Sequence, residues 1–155
     1  MSNIAMRILH LLAVCCFLAA IPAFAQTPLA PVERNGVTYI TGGVGEDEAH
    51  AFRQAAPRYN LRLTFASKTG QYLSDVDVRI SSGERTVLAV RTDGPFLFVR
   101  LPAGSYRVSA RDRQVTEARQ VAVPRTGGVD LRFYWDDPAR RGITRLCSNC
   151  PRRPQ

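Results

Sequence analysis

A mainly β chain, built as a seven-stranded antiparallel sandwich with one short N-terminal helix, is the fold class this sequence predicts. Three observations lead there. Apolar and polar side chains alternate with a period of two between Tyr59 and Trp135. Gly and Pro turns cut that stretch into short runs of strand length. Only one segment, Glu46 to Ala56, keeps a helical spacing of apolar residues.

The first 25 residues are set apart from the fold. Met1 to Arg7 gives a short positive start, Ile8 to Ile21 is an apolar run broken only by His10, and Pro22-Ala23-Phe24-Ala25 ends it with small residues where signal peptidase reads. This layout predicts a secretory signal peptide over residues 1–25, cleaved between Ala25 and Gln26. The apolar run of about 14 residues is short of the roughly 20 that cross a bilayer. Cys15 and Cys16 lie inside it, and the residues before them, Val14 and Cys15, are wrong for lipid attachment. The expected location is periplasmic or secreted, with no integral membrane segment after cleavage.

Residues 26–58 read as a lead-in. Gln26 to Asn35 carries Pro28 and Pro31 without periodicity and is expected to be flexible. Val37-Thr38-Tyr39-Ile40 suits a short strand, and Thr41-Gly42-Gly43-Val44-Gly45 a loop. In the helix that follows, Ala49, Phe52 and Ala56 share a face. Glu46, Asp47 and Glu48 stand at its N-terminus, where the helix dipole favours acids. Pro57 stops it.

The sandwich domain is expected over residues 59–137. Leu61, Leu63 and Phe65 alternate with Arg62 and Thr64; after Ser67-Lys68-Thr69-Gly70, Val76, Val78 and Ile80 alternate with Asp75, Asp77 and Arg79. Thr86 to Arg91 and Phe96 to Leu101 follow, separated by Asp93-Gly94-Pro95. Beyond Pro102-Ala103-Gly104, Tyr106, Val108 and Ala110 mark a fifth strand, Val121 and Val123 a sixth, and Val129, Leu131, Phe133 and Trp135 a seventh. One face of each strand is apolar and the other carries arginine or aspartate, as in a sandwich wetted on its outside.

Three stretches in this domain carry a resemblance: Gly70 to Ile80, Thr92-Asp93-Gly94-Pro95-Phe96, and Leu101-Pro102-Ala103-Gly104-Ser105-Tyr106-Arg107-Val108. Together they resemble the carboxypeptidase-regulatory-like modules, small sandwiches of transthyretin-like (prealbumin-like) topology. The likeness spans residues 59–135. It implies an accessory domain of the kind engaged in adhesion, surface scaffolding, carbohydrate contact or support of a neighbouring enzyme. A transthyretin-like branch hydrolyses a purine-degradation intermediate with several histidines and a C-terminal Tyr-Arg-Gly-Ser; this chain ends Cys-Pro-Arg-Arg-Pro-Gln.

No catalytic set is expected. After cleavage the single histidine is His50, inside the acidic helix and expected to pair with Glu46 or to be solvated. Gly42-Gly43-Val44-Gly45 lacks the lysine and Ser/Thr of a phosphate loop, and Glu46 to Glu48 would repel phosphate. Asp75, Asp77 and Asp93 read as solvated acids rather than calcium ligands. Trp135 shares parity with Val129, Leu131 and Phe133 and belongs to the core, whereas Tyr134 points outward as a lone tyrosine. No cofactor and no metal are expected.

The charge sits at the C-terminal end. Without Arg7, Lys+Arg falls from 21 to 20 against 13 Asp+Glu, a mature net charge of +7. Arg140, Arg141, Arg145, Arg152 and Arg153 supply five of these charges, with no acid after Asp137. Residues 138–155 are therefore expected to form a disordered basic tail suited to an anionic envelope component or an acidic protein. Nucleic acid is not expected as a partner, since the tail has no aromatics to stack bases. Within the tail, Cys147-Ser148-Asn149-Cys150 pairs the only mature thiols. An oxidising compartment favours a small disulfide loop there, with a redox pair or soft-metal site as the alternatives. The reading is an exported, non-enzymatic accessory or binding module, the alternative being a periplasmic thiol-disulfide or soft-metal protein.

Overall fold

The computed structural model describes residues 29–136. In chain order the elements are β1 (Val32–Arg34), β2 (Val37–Gly42), α1 (Glu46–Ala55) running into a 3-10 turn (Ala56–Arg58), β3 (Leu61–Ser67), β4 (Asp77–Ser82), β5 (Arg85–Arg91), β6 (Phe96–Arg100), β7 (Gly104–Asp112), β8 (Val115–Val123) and β9 (Val129–Trp135). The fold is mainly β, in two sheets with one α-helix. The described residues hold nine strands, which corrects the expected seven. The seven read from the period-two pattern are β3 to β9, and two more come from the lead-in.

The first sheet has the order β1-β2-β6-β3-β9 and the second β5-β4-β7-β8. A second correction concerns direction. All pairs are antiparallel except β3 and β9, which run parallel in the register Leu61↔Val129 to Ser67↔Trp135. The cause is the chain path: β8 belongs to the second sheet, and the link from Pro124 to Gly128 carries the chain across to the first sheet beside β3. A strand arriving by such a crossover is free of the reversal that a hairpin imposes.

Inward side chains of both sheets meet in one cluster. From the first sheet come Leu61, Leu63, Phe65, Leu97, Val99, Phe133 and Trp135, and from the second Val78, Ile80, Leu88, Val108, Ala110 and Val121. Trp135 is core, as its parity predicts, and its indole Nε1–H donates to the Val115 carbonyl at 3.2 Å. Tyr106 is buried at the start of β7, and its hydroxyl donates to the Pro102 carbonyl at 2.9 Å. This bond ties Leu101-Pro102-Ala103-Gly104 to the strand that follows.

Helix α1 lies on the outer face of the first sheet. Phe52 and Ala55 are its buried residues, and they pack with Ile40, Tyr59 and Phe98 in a second cluster. The helix ends one residue earlier than the pattern suggests, because the chain tightens into the 3-10 turn that holds Pro57. His50 is exposed; its Nδ1 lies 3.3 Å from the Gln54 amide nitrogen, so Gln54 and not Glu46 is its hydrogen-bond neighbour. No helix among the described residues is long and apolar enough to cross a membrane.

Across β3 and β9, Arg62 and Asp130 stand in register. The guanidinium grips the carboxylate at two points, Nε to Oδ1 at 2.7 Å and Nη2 to Oδ2 at 2.6 Å. These hydrogen bonds hold the Asp130 carboxyl below its ordinary range and raise the Arg62 guanidinium. A carboxylate with a depressed folded-state pKa stabilises the fold above its unfolded value and loses that contribution as pH falls. Asp130→Asn is therefore expected to lower stability by about 0.5–1 kcal/mol at neutral pH, a small figure because Asp130 is largely exposed. Urea melts at neutral and strongly acid pH check this: the gap between wild type and variant closes below about pH 4.

Candidate functional site

The polar stretch Gln71 to Asp77 links β3 to β4, and its residues collect at one end of the molecule. After β3, Ser67 Oγ accepts the Gln71 N–H at 3.0 Å, and the Leu73 N–H returns to the Phe65 carbonyl at 3.1 Å. Thr92, buried at the end of β5, then anchors the approach to β4. Its Oγ1 accepts the Val76 N–H at 3.1 Å and its carbonyl accepts the Asp75 N–H at 2.9 Å. These bonds force Asp75 into the left-handed region at φ 60°, aiming its carboxylate sideways toward β5.

The result is a groove of about 570 Å³, walled by Tyr72, Leu73, Ser74, the start of β4, the end of β5 and the Asp112-Arg113 turn. Sheet register sets its charges. Asp77 pairs with Arg91 on one side and Arg111 on the other, a row across β5, β4 and β7. Arg111 Nη2 donates to Asp77 Oδ2 at 2.8 Å, and Arg91 Nε donates to Asp75 Oδ1 at 3.2 Å. Arg113 at the β7–β8 turn has φ 52°, so two of the three non-glycine residues with positive φ among the described residues line this groove. Such backbone strain gathers where surrounding structure holds a side chain in a required place.

Asp75 and Asp77 each have one oxygen held by an arginine hydrogen bond, at 3.2 and 2.8 Å. Asp112 and Arg113 complete the wall at the β7–β8 turn. A second concavity of about 610 Å³ at the opposite end is lined by Asn60, Leu101, Ala103, Gly104, Pro124 and Arg125, with one charged side chain among them.

Of the residues considered for calcium, Asp75 and Asp77 come together, bridged by Arg91, while Asp93 turns away and donates its N–H to Thr41 Oγ1 at 3.0 Å. No group of three or more His, Cys, Asp or Glu among the described residues is placed to hold a metal. The glycine loop before α1 is a packing joint. The Phe96 ring lies against Gly43 where a β-carbon would stand, and the Gly42 carbonyl fills that place at Gly94. Glu48 Oε2 accepts the Val44 N–H at 2.8 Å, occupying the amide that a phosphate would need. The expected signal peptide over residues 1–25, Cys147, Cys150 and the tail arginines Arg140, Arg141, Arg145, Arg152 and Arg153 lie outside the described residues.

Sequence patterning did not reveal Arg91, Arg111 and Arg113 as site residues. The signal was present in part: Asp77 alternates with apolar residues on its strand, so its carboxylate faces outward beside whatever charges the neighbouring strands bring. No protein-family model matches the chain, and no curated protein matches it.

Proposed function

We propose that the chain is an exported, non-enzymatic accessory module, a β-sandwich of transthyretin-like kind, which binds a protein or an envelope component. The observation that carries this reading is the groove. Its paired arginines and aspartates present a fixed pattern of charge to solvent, with Tyr72 on the rim. Supporting the sandwich is the single interior cluster fed by both sheets. Supporting the family is the behaviour of its stretches. Leu101 to Tyr106 makes the buried-tyrosine corner, and Gly70 to Asp77 builds the groove wall. Export rests on the leader pattern over residues 1–25. The basic tail adds attraction for anionic surfaces, and in that compartment Cys147 and Cys150 close a small disulfide loop.

The experiment places a photo-crosslinking residue at Arg113, in the groove, or at Arg107, on the open face of the same sheet, in protein exported by its own leader. The recovered chain is expected to begin at Gln26, with its two thiols unreactive until reductant is added. Capture is expected at position 113 and to be lost when Asp77→Ala is added, with none at 107. A leader left intact, or equal capture at both positions, contradicts the reading.

A further inference from the structure

A second surface stands on the outer face of the first sheet. Helix α1 covers that face over β2 and β6, through Phe52 on Phe98 at 5.1 Å and on Phe96 at 5.5 Å, while Arg132 and Tyr134 of β9 are exposed. Ala66 lies at that end of β3, buried at 5% exposure. On one side it is in register with Tyr134 of β9, and on the other with Tyr72 through an isolated antiparallel bridge. All three side chains therefore point outward in one row. Neighbouring strands lie roughly 4.8 Å apart, so the tyrosine backbones flank Ala66 at about 10 Å from each other.

Both tyrosines are exposed, Tyr72 at 66% and Tyr134 at 39%. Tyr72 is not free to collapse onto the sheet, because its ring stands edge-on to Phe96 at 5.7 Å and 65°. Beside this row Arg132, in register with Thr64, reaches out from β9. Its positive charge acts on Asp130, but Asp130 is gripped by Arg62, and Lys68 is paired with Asp136. The Arg132 side chain makes no hydrogen bond or ion pair among the described residues.

We propose that this row is a binding platform for an extended acidic polysaccharide. Tyrosine offers a broad apolar face with a polar tip, which suits a pyranose ring that is apolar on its C–H face and hydroxylated at its rim. In a flat chain of linked sugars every second ring presents the same face, and two tyrosines separated by one small residue can meet two such rings. Arg132 supplies the charge complement, since a guanidinium takes a carboxylate through two parallel hydrogen bonds. This goes beyond the groove reading, depending on it only in that the chain is a binding module. The two surfaces share Tyr72 alone.

The test is calorimetric titration of the mature protein with β-1,4-linked oligomannuronate and with the neutral β-1,4-linked mannan oligomer of equal length. The acidic oligomer is expected to bind, more weakly as salt rises, and to be preferred over the neutral one. Tyr72→Ala and Tyr134→Ala are each expected to weaken binding roughly three- to ten-fold, whereas Tyr72→Phe retains it. Arg132→Gln is expected to remove the preference for the acid while leaving the neutral oligomer unchanged. The groove variant Arg113→Gln is expected to bind normally, which separates a failure here from a failure of the groove. Four outcomes overturn the proposal: no binding of either oligomer, unchanged binding in the tyrosine variants, equal loss in Arg107→Gln and Arg132→Gln, or crosslinking of a protein at position 134 without glycan affinity. The last assigns the face to a protein partner.

Discussion

Phe65→Ala is expected to destabilise the fold by about 3–5 kcal/mol, the usual cost of deleting a fully buried phenylalanine ring. Phe65 has no exposed surface, and its ring stacks on Phe133 at 5.9 Å and tilts against Trp135 at 6.2 Å. Those partners come from β9, the strand joined to β3 in parallel, so the lost ring weakens the packing that holds the last strand in place. Domains have only about 5–15 kcal/mol of stability in total, and the variant stands near the edge of unfolding. Urea denaturation followed by tryptophan emission measures the change, because Trp135 is the sole tryptophan. Phe65→Leu, which keeps most of the volume, is expected to cost less than half as much. A loss below about 1 kcal/mol for the alanine variant contradicts the packing described.

Phe52→Ala is expected to have a comparable local effect and a different distribution. Phe52 is the anchor of α1, fully buried between Phe96 and Phe98. A ten-residue helix is too short to persist without tertiary contacts. Removing the ring therefore releases the helix from the sheet, and the sheets lose little. Hydrogen exchange checks this: amides from Ala49 to Ala55 lose protection by roughly a hundred-fold or more, the free-energy equivalent of about 3 kcal/mol. Amides of β4 and β7 hold theirs. Equal loss in both sheets contradicts a helix docked from outside.

Most strands from β3 to β9 were legible because they bury one face, and burial writes itself into alternation; β6, buried on both faces, reads instead as the continuous apolar run Phe96-Leu97-Phe98-Val99. β8 shows the limit. Its second half, Val121 and Val123, is buried and was read, whereas Val115 to Gln120 overhangs the core edge and carries no apolar alternation. β1 escaped for the same reason, with all three of its residues exposed. A signal for it was nonetheless present. Asn35-Gly36 joins β1 to β2 with both residues at positive φ, 54° and 74°, the turn that favours Asn-Gly between hairpin strands. The parallel pairing of β3 and β9 leaves no trace in the sequence, since alternation is the same whichever way a strand runs.

The candidate site was legible residue by residue but not as an assembly. Asp75 and Asp77 were recognised as outward acids, yet the arginines that grip them arrive from β5 and β7 through register. Tyr134 read as a lone tyrosine because its counterpart, Tyr72, lies 62 positions away in a stretch with no strand pattern, joined to it only through Ala66.

The claim on which the rest depends is that the two sheets enclose one interior and stand or fall together. Native-state hydrogen exchange under increasing urea tests it most directly, read at Leu63 and Leu97 in the first sheet and at Ile80 and Val108 in the second. The account predicts that all four amides exchange through one opening, with the same free energy and the same dependence on urea. A second sheet that opens at markedly lower free energy than the first would contradict it.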